Sequence, residues 1–256
     1  GSRVINFLGK DGKGFDLKRG QDILSSTMIM GAMDGCEAVV HCAGIPHPNA
    51  GDFGDYMRTN VWGTLNVCEA ARLRGVKRLV YFSSTACYGC NAQHGFAPQI
   101  IPVGEYHVPN PVGKQSAYGT SKRMVEAMLK WYRSQGLETV AIRSAPANPK
   151  SGQFPEGFDW RSCSDYRDRS LFANCHPDYA ARAAVLAVRH PEPLPYSAFN
   201  VADRYFPLSV DMKAFVSERF PDQAYGYAMD WIDQGLSLFT TERAQKVLGW
   251  EPCDDR

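Results

Sequence analysis

The chain has no apolar run approaching the roughly 18 residues that a bilayer-spanning helix needs, and no basic stretch leading into an apolar core of the kind that marks a signal peptide. It also lacks charge of one sign. Lys and Arg total 28 against 27 for Asp and Glu, a formal net charge of +1, and the cations are scattered. That leaves no electrostatic footprint for a nucleic acid or an acidic membrane surface, so neither partner is expected, and a cytoplasmic location is the expectation. Internal repeats and low-complexity tracts are missing as well. The eight cysteines include one CxxC spacing, Cys87-Tyr88-Gly89-Cys90, but no second CxxC or histidine pair stands at zinc-site distance. Among the six histidines, His41 and His47 have no third ligand close in sequence. No metal site is expected, and a chain long enough to bury a full core is expected to keep its thiols free.

What is present is a 256-residue chain with 44% hydrophobic content, enough for one sizeable core, and an alternation of strand and helix patterns. Ser25 and Ser26 can cap a helix to about Met33, Asp34-Gly35 ends it, and Glu37 to His41 reads as a strand. Asp52 to Leu73 reads as a long amphipathic helix ended by Gly75, followed by a strand at Lys77 to Ser83. Ser116 to Gln135 is a helix, Thr139 to Arg143 a strand, Asp178 to Val188 a helix and Ala198 to Val201 a strand. Helices at Leu208 to Arg219 and Thr241 to Leu248 close the chain. Such alternation predicts a parallel sheet with right-handed crossovers.

The strongest chemical signal is Tyr118-Gly-Thr-Ser-Lys122. A tyrosine and a lysine four apart share one helix face and can meet one substrate oxygen. A free phenol has a pKa near 10, so the expectation is that the Lys122 charge favours the phenolate and lets Tyr118 take a hydroxyl proton. Leu79 to Phe82 runs into Ser83-Ser84-Thr85, which places hydroxyl groups at the carboxyl end of a buried strand, where open α/β sheets bind ligands.

With these segments in hand, the chain resembles the extended short-chain dehydrogenase/reductase family, also called the NAD-dependent epimerase/dehydratase family. Val39-Val40-His41-Cys42-Ala43-Gly44 is similar to its fourth strand and adenosine-contacting turn, and Thr59 to Asn66 to the helix signature that follows. Ser83 to Gly89, the Tyr118 segment, His176 to Ala183 and Lys246 to Pro252 continue the series in order. The resemblance implies a Rossmann-like doubly wound parallel sheet with a smaller mixed α/β carboxyl-terminal substrate lobe. The expected parts are 1–146 for the NAD(P)-binding domain and 147–256 for a substrate lobe interleaved with it.

The resemblance also implies residue roles. Tyr118 would move the proton, Ser84 would bond the same oxygen, Lys122 would bond the nicotinamide ribose, and Asn60 would hold the local structure or a relay water. Asp22 and Ile23 would flank adenine, Ala43 and Gly44 would pass close to adenosine or pyrophosphate, and Ser144, Ala145 and Pro146 would lie near the nicotinamide carboxamide. The cofactor is expected to be NAD, with NADP left open because Gly9-Lys10-Asp11 offers both a cation and an acid. Relatives pair through the helices matching Asp52 to Leu73 and Ser116 to Gln135, so a homodimer is implied.

At the front, Gly9-Lys-Asp-Gly12-Lys-Gly14 is not spaced as a phosphate-binding fingerprint, and too few residues follow it for a βαβ unit of 30 or more residues. It is expected to be a surface turn. Val4 to Leu8 then fits a second strand and Gly14 to Lys18 a third, with the first strand and glycine-rich loop outside these residues. Asn91 to Lys114 reads as a long loop carrying Glu105 where relatives also have an acid. Beyond Arg143 the chain departs from relatives that have an asparagine three residues after the arginine, because Pro146 stands there. The short stretch to Asp178 is similar to that of uronate dehydrogenases. Lys150 to Asp168 reads as a pocket wall. Its Arg161 and Arg167 are of the type that grips a carboxylate, yet loop arginines are more often solvated charges, and neither is carried as a site.

The expected function is hydride transfer at a hydroxyl-bearing carbon of a sugar, sugar acid or nucleotide sugar, with dehydrogenase, epimerase and dehydratase all open. The alternative is a non-catalytic dinucleotide sensor or scaffold.

Overall fold

The computed structural model describes residues 1–90, 98–109, 116–149, 154, 158–162, 171–208, 210–220 and 228–253. Four parallel strands form one sheet in the order β1 (Ala38–His41), β2 (Arg78–Ser84), β3 (Glu138–Ser144), β4 (Ala198–Val201). Register runs Val40 opposite Val80, Val80 opposite Val140, and Ile142 opposite Phe199. β2 and β3 are buried on both faces, which explains their unbroken apolar runs.

Helices cover both faces. On one side lie α2 (Ser26–Ala32), α4 (Gly63–Leu73) and α5 (Ala117–Ser134), packing Ile29, Val67, Val125 and Leu129 against Leu79, Tyr81 and Ala141. Asp52 and Asp55 form a reciprocal capping box for α3 (Phe53–Tyr56), which continues through a π-helical segment, Met57–Trp62, into α4. α6 (Pro177–Arg189) crosses the other face, with His176 capping it and Asp178 in its first turn. α7 (Met212–Arg219), α8 (Ala228–Asp233) and α9 (Glu242–Leu248) complete the described chain. Gly249 closes α9 at φ 62°, and the buried Trp250 indole donates to Tyr179 O at 2.8 Å, fastening the carboxyl end to α6.

Two expectations near the front are corrected. Val4 to Leu8 is not a strand but part of α1 (Ser2–Leu8), and Gly14 to Lys18 forms no strand either. Five residues, four of them apolar around Asn6, suit either period, and packing decided it. Val4 and Leu8, one helical turn apart, meet Ala181 and Val185, one turn apart on α6. In the second segment the Asp16 carboxylate accepts from Lys18 N at 2.8 Å and starts a 3₁₀ turn, Leu17–Arg19, that Gly20 ends at φ 74°. Gly9–Asp11 is an exposed 3₁₀ turn, as a surface turn should be. Among the described residues the carboxyl-terminal part is helical with isolated bridges, and β4 from that part completes the sheet.

One buried cation ties the layers together. Arg78 Nε donates to Glu138 at 2.8 Å, and its terminal nitrogens serve the carbonyls of Ala187, Val188, His190 and Glu192 at the carboxyl end of α6. A guanidinium thus satisfies orphan carbonyls and faces the negative end of the helix dipole. Arg78→Met is expected to cost about 3–5 kcal/mol, read as a lower urea midpoint, because it strands Glu138 and these carbonyls. Arg78→Lys should recover only part of it, since an ammonium lacks the forked donors.

Candidate active site

The carboxyl ends of β1, β2 and β3 bring the hydroxyl, phenol and ammonium groups together. Ser84 is the last residue of β2, and its Oγ accepts from Ala86 N at 3.2 Å, starting the 3₁₀ turn Thr85–Tyr88. Ser116 caps α5 through Gly119 N at 3.0 Å, fixing the turn on which Tyr118 stands. A methyl on Gly119 would lie 2.6 Å from Ala86 O, so only glycine lets the two turns approach this closely. The approach sets the Ser84 side chain beside the Tyr118 phenol, near enough to oppose the effect of burial on its acidity.

Lys122 lies one turn below, and its Nζ donates to Phe82 O at 2.8 Å. The ammonium sits 4.6 Å from the Tyr81 ring centre and 5.5 Å from that of Tyr118. Only 6% of Lys122 and 8% of Tyr118 is exposed, and this decides their acidity. Burial pushes the Tyr118 phenol up to about 12, with the Ser84 hydrogen bond opposing it. Burial likewise pulls Lys122 down to about 8, with Glu126 opposing. The expectation that Lys122 lowers the phenol is therefore corrected: removal from water sets its acidity and the direction is up, with Ser84 rather than Lys122 as the opposing group. Lys122 remains charged at neutral pH.

Asn60 occurs in the π-helical segment and is 1% exposed. Its Oδ1 accepts from Ile45 N at 2.7 Å, while its Nδ2 donates to Ile45 O and to Ser121 Oγ, each at 3.2 Å. Ser121 Oγ donates in turn to Tyr118 O at 2.7 Å. Asn60 thus clamps the turn after β1 to the Tyr118 helix. Gly44 permits this at φ 142°, because a methyl there would meet Asn60 Oδ1 at 2.8 Å. Ala43 lies in the same turn. His41 Nε2 pairs with Thr64 Oγ1 at 2.9 Å, and the Thr64 proton goes to Asn60 O, so His41 is the donor. Burial drops His41 to about 3, leaving it neutral.

Ser144, Ala145 and Pro146 continue from β3 at the same sheet end. Ser144 Oγ donates to Ala145 O at 2.7 Å, Ala145 N to Val201 O at 3.0 Å, and Pro146 O accepts from Cys175 N at 3.0 Å. Asp22 and Ile23 belong to another neighbourhood, packed on α4. Asp22 Oδ1 accepts from Leu24 N at 2.9 Å, Ile23 lies against Gly63, and Asn66 Nδ2 donates to Ile23 O at 3.1 Å.

Arg161 forms an exposed pair with Glu218, stacks 4.4 Å over Trp160, and touches none of these groups. Arg167 lies outside the described residues. Cys87 and Cys90 are buried free thiols with raised pKa, the second up to about 12. No group of three or more His, Cys, Asp or Glu gathers among the described residues, and no described helix is long and apolar enough to cross a membrane.

The motif reading missed Tyr56, Tyr81 and Glu126. Tyr56 meets Tyr118 edge to face at 6.0 Å, and its hydroxyl donates to His47 O. Tyr81 precedes the apolar-to-hydroxyl switch and reads as plain strand. Glu126 was detectable, since it stands at i+4 from Lys122 on the same face.

An open α/β sheet with a serine, tyrosine and lysine at its carboxyl edge defines a class of nucleotide-binding fold. The model of the NAD dependent epimerase/dehydratase family matches residues 15–156, and the chain belongs to that family. It is 34% identical over 125 residues to a UDP-glucose 4-epimerase of Erwinia amylovora, covering 46% of this chain and 34% of the relative. To a uronate dehydrogenase of Pseudomonas putida it is 29% identical over 145 residues, 56% of this chain and 50% of the relative. The chain therefore spans half or less of these relatives. A short-chain dehydrogenase/reductase superfamily protein from Agrobacterium tumefaciens with bound NAD superposes with a TM-score of 0.70 at 20% identity, covering 98% and 89% of the two chains. UDP-glucose 4-epimerase from Thermotoga maritima gives 0.66 at 19%, covering 98% and 90%.

Lys122→Met tests the burial of the cation. Because folding lowers its pKa from 10.5 to about 8, the charged form penalises the fold fully below pH 8, and the penalty fades as pH rises to 10.5. The variant should gain about 2–3 kcal/mol in urea unfolding at pH 7 and much less at pH 10. A loss at pH 7 would contradict the assigned environment.

Proposed function

We propose that the chain carries the proton-transfer site of an NAD(P)-dependent oxidoreductase or epimerase acting at a hydroxyl-bearing carbon of a sugar, sugar acid or nucleotide sugar. One observation carries the reading: the buried Tyr118 and Lys122 and the half-buried Ser84 converge at the carboxyl end of the sheet. The relatives named as UDP-glucose 4-epimerase and uronate dehydrogenase supply the substrate class.

The nicotinamide side fits NAD. Lys122 offers a buried ammonium to ribose hydroxyls, and Ser144, Ala145 and Pro146 line the same strand end. The pyrophosphate side has no fit in residues 9–14, where the 3₁₀ turn Gly9–Asp11 follows α1 and no helix opens. We assign Asp22, Ile23, Ala43 and Gly44 to the adenosine side.

A bound nicotinamide supplies the hydride acceptor or donor. The chain moves the proton. Tyr118, protonated in the folded chain, delivers its proton to a carbonyl oxygen in the reducing direction and must be deprotonated first in the oxidising direction. Ser84 donates a hydrogen bond to the same oxygen, and Lys122 stabilises charge that develops on the phenol. Asn60 holds the strand-end turn against α5.

A non-catalytic dinucleotide-binding sensor or scaffold is the second reading, favoured by the turn at Gly9–Asp11 where no phosphate-binding loop opens a helix. Tyr118→Phe separates the two. It should abolish turnover of the responsive sugar while leaving the thermal shift with NAD intact; retained turnover contradicts the catalytic assignment. Accumulating absorbance near 340 nm, roughly where reduced nicotinamides absorb, marks a dehydrogenase rather than an epimerase.

We also propose a homodimer through α3, α4 and α5, and a cytoplasmic location. Phe53, Trp62, Met124 and Trp131 are large apolar residues left 45–59% exposed on these helices and on the π-helical segment that joins α3 to α4. Replacing Trp62 and Trp131 together by Glu should yield a folded monomer in sedimentation, and an unchanged dimer contradicts the proposed interface.

A further inference from the structure

Glu126 is an acid buried to 8% exposure in the line Tyr118, Lys122, Glu126, spaced i, i+4 and i+8 on one face of α5. Its Oε1 accepts from Ser83 Oγ at 2.6 Å. Arg143 on β3 clasps both carboxylate oxygens, with Nε 3.1 Å from each and Nη2 2.7 Å from Oε2. On its other side Arg143 Nη1 donates to Tyr88 Oη at 2.8 Å and to Glu105 O at 3.2 Å. The Tyr88 hydroxyl donates to Asn200 Oδ1 at 2.7 Å. The ion pair is therefore hydrogen-bonded on both sides and largely buried, its negative end towards the helix face of Lys122.

A buried pair of this kind is often no more stabilising than apolar residues of equal volume. Its placement points to another use. Ser83, held by Glu126, lies between Phe82, whose carbonyl accepts from Lys122, and Ser84, which lies beside the Tyr118 phenol. Fixing that one peptide stretch fixes both contacts. The other groups acting on the ammonium are Tyr81, Tyr118, Cys42, Cys87 and His41 from β1, β2, their following turns and α5, and of the charges acting on it Glu126 contributes most.

We infer that Glu126, through its pair with Arg143, is a positioning residue that holds the end of β2 and the Lys122 ammonium in register with Tyr118. The assignment deepens the proton-transfer reading above and rests on it for its purpose, while its test needs neither dinucleotide nor substrate.

The test is a ¹³C NMR titration of full-length chain carrying ¹³Cε-lysine, with the Lys122 resonance identified by its loss in Lys122→Met. In the wild type Lys122 should titrate at about 8. Glu126→Gln should lower that midpoint by about one unit, a tenfold change in proton affinity, and Glu126→Asp should hold it near wild type. Should Glu126→Gln fail to fold because it strands Arg143, Glu126→Gln combined with Arg143→Met removes both charges, and a smaller downward shift is expected, because the Arg143 cation is lost from the far side of the pair. An unchanged midpoint in the Gln or double variant, with only the unfolding midpoint lowered, would make Glu126 a packing residue and overturn the inference. An Asp variant as low as the Gln variant would overturn it too. A chain that bound no NAD would instead contradict the proposed function and leave this titration readable.

Discussion

The site depends on keeping an ammonium out of water. Lys122 gives up hydration for one carbonyl at 2.8 Å, the face of Tyr81 and the field of a carboxylate one turn away. Each of these partners belongs to a different constraint: the carbonyl needs β2 in register with β3, the ring needs the α5 face packed on the sheet, and the carboxylate needs Arg143. Desolvation makes such interactions stronger than in water and makes their loss costly. A site held this way is rigid before any ligand arrives, which suits proton transfer between fixed atoms.

The same desolvation raises the phenol to about 12 and holds His41 neutral. A protonated Tyr118 and a charged Lys122 are the resting state at neutral pH. The hydroxyl and phenol are held side by side by the two fixed turns, so a substrate oxygen meets groups that are already ordered.

Much of this was legible in the sequence, and the reasons are physical. Tyr118 and Lys122 are visible because a helix fixes the i, i+4 relation locally, and Ser84 because a buried apolar run switches abruptly to hydroxyls. The strands from Ala38 to Val201 were legible because both faces of the sheet are covered. Val4 to Leu8 forms a helix rather than the expected strand because so short a segment, four apolar residues around Asn6, fixes no period, and the deciding contacts with Ala181 and Val185 lie far along the chain. Gly119 and Gly44 look ordinary in sequence, yet each marks a contact under 3 Å for an added methyl. The Tyr118 acidity was misjudged because burial cannot be read from spacing. Glu126 was legible in principle, but its partners Ser83 and Arg143 come from two other strands.

The central claim is that Ser84, Tyr118 and Lys122 face one nicotinamide ring. A crystal structure of the chain soaked with NAD tests it most directly. The account predicts the ring beside Tyr118 and Ser84, with Lys122 Nζ within hydrogen-bond distance of the adjoining ribose hydroxyls. A dinucleotide seated elsewhere, with these three side chains untouched, contradicts it.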